Sequence, residues 1–322
     1  MTRIKAVLVA SEAVPHAKTG GLADVIGSLP RYFDGVSIDA AVVMPRYKGI
    51  EAQPGGTMAI EMNGTHRVGV ARNKNFFFID YPQYFERNGL YGEAKGDYPD
   101  NCERFTLFCK AAVQLVAEHD FDIVHCHDWQ SGLVPLYLKR AHSKAKSIFT
   151  IHNLGYQGKF SADKFPLLGI ETEYFTPQGL EFYGEVNFLK AGIVYGDMVT
   201  TVSRNYAREI QTPELGFGLD GVLRMRGHDL TGIVNGIDYS DWDPGSDRLV
   251  YATYADFKGK MQNKAFLCED VALDADRPLI GMVSRIAGQK GFDLLVCAMD
   301  EIIALGFNMV ILGFGEESYH RK

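Results

Sequence analysis

Residues 4–10 read IKAVLVA and residues 18–33 read KTGGLADVIGSLPRYF, and these two stretches decide the fold class. The first is an almost continuous apolar run, which is typical of a strand buried on both faces of a parallel sheet. The glycine pair in the second fits a turn, and the apolar positions after it follow a helical period. The segment therefore predicts a strand, a loop and a helix, which is the repeating unit of an α/β fold.

The same plan recurs along the chain, with short β-rich runs alternating with helical patterns. The predicted strands are Ile4–Ala10, Ile38–Met44, Phe121–Cys126, Ser147–Ile151, Met198–Val202, Pro278–Ser284 and Met309–Leu312. The predicted helices are Leu22–Phe33, Asn101–Glu118, Leu133–Ala141, Tyr254–Cys268 and Phe292–Leu305. Strands joined by helical crossovers form parallel sheets, and ligands bind beyond the carboxyl ends of such strands. The loops that follow the strands are therefore where the chemistry should lie.

The chain's length predicts two domains, because 322 residues exceed the size at which one hydrophobic core normally keeps growing. Turn-forming residues cluster from Asn235 to Asp247 and mark a connection. We expect a first domain over residues 1–240 and a second over residues 241–322. The second contains only two predicted strands, whereas sheets of this class usually have about five or six, so we expect it to be incomplete.

Composition excludes several classes of protein. Apolar residues make up 46% and charged residues 23%, as in ordinary globular proteins. A net charge of −7 argues against nucleic acid as a partner. No apolar stretch is long enough to span a membrane, and the first apolar run is too short for a signal peptide, so a cytoplasmic location is expected. The five cysteines are scattered without a Cys-x-x-Cys pair, which indicates reduced, mostly buried thiols and no structural zinc.

Two loops combine positive charge with glycine. Lys18 precedes Gly20 and Gly21 at the start of a predicted helix, where backbone N–H groups favour a diphosphate. Arg285 and Lys290 flank a glycine-containing turn and together resemble an anion clamp. The alternatives are an ordinary strand-to-helix turn and a solvated pair of basic residues. The first loop matches neither Gly-x-Gly-x-x-Gly nor the lysine loop of nucleoside triphosphatases.

A second kind of motif is His125-Cys126-His127-Asp128, which directly follows a predicted strand. His-x-His at a strand end can bind a metal, with Asp128 as a further ligand or a base, and this would suit a metal-dependent hydrolase. The other histidines form no second paired motif. A polar cluster that lines a sugar pocket and a buried structural histidine are the alternatives.

His152 and Asn153 follow the next predicted strand, within a loop rich in glycine that runs to Gly158. Their side chains offer donors and acceptors suited to sugar hydroxyl groups. A loop that is closed by a capping asparagine explains the same residues equally well.

Taken together, these motifs resemble the glycogen and starch synthase family. The matching segments, in the family's order, are Lys18–Val25, Tyr98–Asn101, His127–Trp129, His152–Gly158, Leu189–Gly192, Asn235–Asp238, Ser284–Arg285 and Gln289–Gly291. The resemblance implies the GT-B architecture, an α/β fold with two facing Rossmann-like domains, of which the second is incomplete in this chain. It also implies a retaining glucosyltransferase that moves glucose from ADP-glucose to the nonreducing end of an α-1,4-glucan or maltooligosaccharide. No metal or redox cofactor is expected.

The resemblance assigns site residues by motif match. Catalytic roles fall to His152, Asp128, Arg285 and Lys290. Substrate contacts fall to Lys18, Gly20, Gly21, Tyr98, Asn153 and Asn235. Arg285 and Lys290 would stabilise the departing diphosphate, which preorganised positive charge can do without a metal. Asp128 would shape the sugar site, and Tyr98 would contact the acceptor.

The chain departs from the family's pattern after Lys322. A segment with a glutamate near the reacting sugar and a final helix that packs on the first domain would both come later in the family. We therefore expect a truncated form that transfers little glucose as written. Two alternatives remain, a noncatalytic glucan-binding fragment and a metal-dependent hydrolase that uses His125 and His127.

Overall fold

The computed structural model describes residues 3–93, 96–315 and 317–320. Contacts within the chain divide it into two compact units, Met1–Gly236 and Ile237–Lys322. The boundary lies in the cluster of turn-forming residues that begins at Asn235. Each unit is described by itself.

The first unit is built on a large sheet with helices on both of its faces. Its strands are β1 (Ile4–Val9), β2 (Ile38–Pro45), β3 (Gln53–Glu61), β4 (Thr65–Asn73), β5 (Phe76–Asp80), β6 (Gly92–Glu93), β7 (Gly96–Asp97), β8 (Ile123–His127), β9 (Lys146–Ile151), β10 (Lys159–Ser161), β11 (Glu181–Phe182), β12 (Glu185–Asn187), β13 (Met198–Thr201) and β14 (Leu230–Gly232). Its α-helices are α1 (Gly21–Asp34), α2 (Pro82–Phe85), α3 (Asn101–His119), α4 (Val134–Arg140), α5 (Phe188–Tyr195), α6 (Arg204–Glu209) and α7 (Asp220–Met225). Short 3₁₀ segments lie at Trp129–Ser131, Ala162–Leu168 and Thr172–Tyr174.

The large sheet has the strand order β14-β13-β9-β8-β1-β2-β5-β4-β3. Neighbouring strands from β14 to β5 pair in parallel, whereas β4 pairs antiparallel with both β5 and β3. The predicted α/β fold with a parallel sheet is thus confirmed. The antiparallel extension is absent from the sequence-based prediction, although its hairpin turns at Asn63-Gly64, both at positive φ, and Asn-Gly is a strong hairpin signal.

The order in which the chain adds strands to the sheet reverses between β8 and β1, although these two strands are parallel. From β1 the chain crosses over through α1 to β2 on one side, and from β8 it crosses through α4 to β9 on the other. Because such crossovers are right-handed, α1 and α4 lie on opposite faces of the sheet. A crevice therefore opens at the carboxyl ends of β1 and β8, which is the position where open α/β sheets bind ligands.

The core of the first unit follows from the apolar strands. Residues 6–9 of β1 and Ala10, which follows the strand, are buried. The long helix α3 packs its apolar residues into the same core. Among the described helices, none is long and apolar enough to cross a membrane.

The second unit is smaller and contains one parallel strand pair. Its elements are α8 (Phe257–Asp270), β15 (Leu279–Val283), α9 (Phe292–Ala304), β16 (Asn308–Leu312) and α10 (Glu317–His320). The bounds of β15, α9 and β16 agree with the predicted elements to within one residue, whereas α8 begins three residues after the predicted start at Tyr254. All five cysteines lie in the described chain and are unpaired, and only Cys297 is exposed, as the sequence predicts.

Candidate active site

The loop that follows β1 is held by a buried carboxylate, Glu12, which is 4% exposed. Its Oε1 accepts hydrogen bonds from Thr19 Oγ1 at 2.6 Å and from the Tyr91 hydroxyl at 2.5 Å. Its Oε2 accepts from the Thr19 backbone N–H. Glu12 thus ties the end of β1 to the glycine loop and to Tyr91. The sequence prediction misses it, although a carboxylate that directly follows a buried strand is a recognisable signal.

Gly20 and Gly21 leave open space at the amino end of α1. A Cβ atom built on either glycine would have no non-adjacent heavy atom of the described residues within 4 Å, and Gly20 has an ordinary extended backbone with φ of −159°. Neither packing within the described chain nor backbone strain therefore requires glycine at these positions. The N-cap residue is Gly20, which has no side chain to bond to the first turn of α1, and uncapped helix ends of this kind favour anions. Lys18 lies beside the loop and forms an ion pair with Asp24 at 2.7 Å.

Asp128 follows β8 directly and has a strained backbone, with φ of 56° and ψ of −177°. This combination is normally occupied by glycine, and other residues adopt it only where the surroundings enforce it. The Asp128 N–H donates to Thr150 O at 3.0 Å, and its Oδ1 accepts from the backbone N–H of His152 at 2.7 Å. The carboxylate thus joins the ends of the neighbouring strands β8 and β9 beside the crevice.

Three histidines form a cluster beside Asp128. His127 Nδ1 lies 3.0 Å from His152 Nε2, and the rings of His125 and His127 are tilted by 37° with their centroids 4.0 Å apart. His125 Nε2 bonds instead to Thr150 Oγ1 at 2.6 Å. His127 is completely buried. The arrangement brings His152 and Asp128 together at the ends of the neighbouring strands β8 and β9.

Burial fixes the charge of this cluster. Desolvation lowers the pKa of His125 and of His152 to about 4, and it lowers that of His127 well below its usual value, helped by the two other histidines. Desolvation also raises the pKa of Asp128 to about 7, although the N–H groups of His152 and Asn153 favour its carboxylate. The histidines are therefore neutral at pH 7.

The histidine arrangement does not resemble a metal centre. His125 and His127 direct their bonding nitrogens to Thr150 and His152 instead of converging on one point. In the part of the chain that the structure describes, no group of three or more His, Cys, Asp or Glu side chains could hold a metal ion. The reading of His125 and His127 as ligands in a hydrolase finds no support in this geometry.

The loop from His152 to Gly158 is closed by its own polar groups. Asn153 Oδ1 accepts from Gly155 N–H at 2.9 Å, so this side chain also serves as the loop-closing asparagine. Gln157 is buried and donates to Phe217 O at 3.1 Å. Gly158 has φ of 61°, and a Cβ there would lie 2.4 Å from the Trp129 ring. The loop is thus fixed at both ends.

Tyr98 lies between two guanidinium groups in the segment before α3. The Cζ atoms of Arg87 and Arg104 lie 4.7 and 4.9 Å from its ring centroid. Its hydroxyl donates to Glu93 Oε1 at 3.0 Å and accepts from Gly89 N–H at 3.2 Å. The structure therefore uses the Tyr98 hydroxyl to close its own segment, while its contact with an acceptor stays a prediction.

Arg285 and Lys290 both lie in the second unit, between β15 and α9. Lys290 ends a 3₁₀ turn, and Gly291 follows at φ of 78° as the N-cap of α9. The stretch after β16 runs alongside this loop, where a Cβ at Gly313 would lie 2.0 Å from Ser284 O. Gly315 is restricted in the same way by Ile286. These two glycines are missing from the predicted site, because only the strand pairing brings them beside Arg285.

The remaining predicted residue, Asn235, lies on an exposed stretch next to the boundary between the two units. It forms part of neither cluster within a unit. Its substrate contact stays a prediction.

Comparison with known proteins identifies close relatives. The family described as starch synthase catalytic domain matches residues 5–225. A glycogen synthase of Geotalea uraniireducens is 43% identical, with 98% of this chain and 70% of the relative aligned. A glycogen synthase of Koribacter versatilis is also 43% identical, over 96% of this chain and 68% of its own length.

Comparison with solved structures points to the same family as comparison of sequences. The catalytic domain of starch synthase IV from Arabidopsis thaliana, bound to ADP and acarbose, superposes with a TM-score of 0.86 at 30% identity. The match covers 99% of this chain and 70% of that one. Sucrose-phosphate synthase from Thermosynechococcus elongatus matches with a TM-score of 0.57 at 17% identity, which indicates a shared fold alone.

Proposed function

The chain belongs to the glycogen and starch synthase family of glycosyltransferases, and from this premise we propose that it moves glucose from ADP-glucose to the nonreducing end of an α-1,4-glucan. The anomeric configuration of the glucose is retained in this proposal. The donor is supported by the ADP in the starch synthase IV complex, and the acceptor class is supported by the glycogen synthases among the relatives. We further propose that the protein acts in the cytoplasm, where its unpaired thiols would stay reduced.

Two observations carry the proposal: the Asp128 carboxylate bonds to the His152 backbone, and the Gly20-Gly21 loop follows β1, the parallel neighbour of β8. Each of these groups follows a different strand of the first unit, and this edge is the one that binds ligands in open α/β sheets. The same edge combines a space without side chains, uncapped helix N–H groups and neutral polar rings. Such a combination suits a sugar that carries a diphosphate.

In the first unit, the proposed roles follow from chemistry. The N–H groups at the start of α1 and the backbone of Gly20 and Gly21 approach the phosphates, with Lys18 as a nearby positive charge. His152 and Asn153 contact hydroxyl groups of the glucosyl unit. Asp128 holds the His152 backbone and so fixes the shape of the sugar site.

In the second unit, Arg285 and Lys290 supply the positive charge that stabilises the leaving diphosphate. As the bond between the sugar and the diphosphate breaks, negative charge grows on the diphosphate and positive charge grows on the sugar. Fixed basic groups then stabilise the transition state more than the ground state. Gly291, at φ of 78°, lets the chain turn from this loop into α9.

The test compares the activities of two variants of the purified protein, Lys290→Ala and Lys260→Ala. Lys260 is an exposed lysine on α8 and controls for the loss of one positive charge from the second unit. Transfer of labelled glucose from ADP-glucose to a maltooligosaccharide is measured with UDP-glucose as a competitor. We expect Lys290→Ala to lower kcat by about 100-fold or more, with glucan affinity nearly unchanged, and Lys260→Ala to have little effect.

Three outcomes would contradict the proposal in different places. Equal kcat values for the two variants would remove Lys290 from the site. A clear preference for UDP-glucose would overturn the choice of donor. Binding of maltooligosaccharide without transfer of glucose would favour a glucan-binding protein instead of a transferase.

A further inference from the structure

His127 is a completely buried side chain with one nitrogen engaged and the other without a partner. Nδ1 lies 3.0 Å from His152 Nε2. Nε2 has no hydrogen-bond partner among the residues that the structure describes. The His125 ring lies 4.0 Å from the His127 ring, centroid to centroid, and directs its own Nε2 to Thr150.

The contact between two neutral imidazoles needs one donor and one acceptor. Burial keeps both rings uncharged, so each carries a single hydrogen. If His127 donates from Nδ1, its buried Nε2 is a bare nitrogen. If His152 donates instead, the buried Nε2 of His127 must carry an N–H that points at no acceptor. Buried N–H groups without a partner are rarer in proteins than underused acceptors, so the first arrangement is favoured.

We propose that His127 is a positioning residue whose Nδ1–H donates to His152 Nε2 and thereby keeps the hydrogen of His152 on Nδ1. His152 is only partly buried, and among the described residues its Nδ1 has no hydrogen-bond partner. His152 thus presents an N–H donor, not a lone pair, to whatever occupies the crevice. The link to sugar binding rests on the proposed function, whereas the position of the hydrogen does not.

The assignment is unusual enough to be tested directly. A free histidine side chain prefers its hydrogen on Nε2, and here both partners carry it on Nδ1. The two tautomers of a neutral histidine differ only in which ring nitrogen carries the hydrogen. Long-range proton–nitrogen correlation spectra of protein labelled with ¹⁵N-histidine distinguish the two forms at pH 7.

The spectra should show Nδ1 protonated in both His127 and His152, with resonances assigned from His127→Asn and His152→Asn. A hydrogen on Nε2 of either ring would overturn the proposal. His125→Asn is the matched control, because it removes a ring of the same cluster that makes no contact with His152 Nε2. This variant should leave the His152 pattern unchanged, and a change there would also count against the assignment.

Kinetics separate positioning from general structural support. In His127→Asn the side-chain amide places an N–H donor near the position of Nδ1, whereas His127→Leu fills the space without a donor. We expect the leucine variant to lower kcat by about 10- to 100-fold and to move the His152 hydrogen to Nε2, with little change in glucan KM. The asparagine variant should keep most of the activity and the original His152 pattern.

Equal losses in both variants, or a His152 hydrogen that stays on Nδ1 in the leucine variant, would refute the role of His127. If His127→Leu fails to fold, the spectra of the unsubstituted protein and of His127→Asn still decide the matter. If the protein transfers no glucose at all, the proposed function fails while the tautomer result stands by itself.

Discussion

Replacement of Asp128 by asparagine should change how the stability of the first unit depends on pH. Asp128 is partly buried, and desolvation raises its pKa from 3.8 to about 7. Between these two values the folded protein holds a proton on Asp128 that the unfolded chain has released. Folding therefore binds protons in this window, and the free energy of unfolding must fall as the pH rises through it. Asparagine is close in shape, keeps an acceptor for the His152 N–H, and does not titrate.

The size of the effect follows from the shift in pKa. A shift of about 3 units corresponds to about 4 kcal/mol, since each unit is worth about 1.4 kcal/mol. Between pH 4.5 and pH 8 about 3 kcal/mol of this should appear, because the titration is nearly complete at both ends. Water that reaches the partly exposed carboxylate reduces this energy. From pH 4.5 to pH 8 we therefore expect the free energy of unfolding of Asp128→Asn to rise by about 1 to 3 kcal/mol relative to that of the unsubstituted protein.

Urea unfolding of both proteins at several pH values measures the difference between their free energies of unfolding. The histidines are common to both proteins, so their titration cancels in this difference. Asp197→Asn is the control. Desolvation and the Ser147 bonds at 2.8 Å act in opposite directions on Asp197, and the net effect lowers its pKa. The contribution of Asp197 to the free energy of unfolding is complete above the unfolded pKa of 3.8 and is lost only as the pH falls below this value. The difference in free energy of unfolding between Asp197→Asn and the unsubstituted protein should therefore stay constant from pH 4.5 to 8. A flat difference for Asp128→Asn, or one of opposite sign, would refute the reasoning.

Two further predictions concern the loops of the crevice. Glu12→Gln should lower stability by about 1 to 3 kcal/mol and speed hydrogen exchange at the Thr19 amide, because an amide nitrogen cannot replace both acceptor oxygens; unchanged exchange at Thr19 would show that the loop is held by other contacts. Gly158→Ala should cost about 3 kcal/mol or more in urea unfolding, because its Cβ would overlap the Trp129 ring in addition to the cost of φ at 61°. Gly184→Ala has a similar φ of 82° and open space, so it should cost only about 1 to 2 kcal/mol, and equal losses in both would refute the steric argument.

Sequence periodicity predicts the parallel part of the fold because buried strands and their crossover helices are local patterns. Ile38–Pro45 and Lys146–Ile151 appear within one residue of the predicted strands. The antiparallel pair β3 and β4 escapes prediction because β3 is an edge strand with an exposed, glycine-containing first half. Its apolar signal is confined to Met58 and Ile60, and a weak alternation of this kind is hard to distinguish from a loop.

The candidate site is predicted only where its residues follow strands. Asp128 and His152 are found in this way, because the carboxyl ends of parallel neighbours meet at one edge. Glu12 and Tyr91 are separated by 79 residues, and their hydrogen bond depends on how the segment before α3 folds back over the sheet. Periodicity carries no information about a contact of this range.

Three unfavourable features of the first unit lie together at the carboxyl end of β8. Asp128 adopts a backbone conformation normally reserved for glycine, its carboxyl resists ionisation, and His127 buries a nitrogen without a partner among the described residues. A folded chain tolerates such local costs where the surrounding structure enforces them, and they cluster at sites that bind or transform ligands. The strain at Asp128 therefore marks the same edge as the topology does, by an argument that uses no resemblance to other proteins.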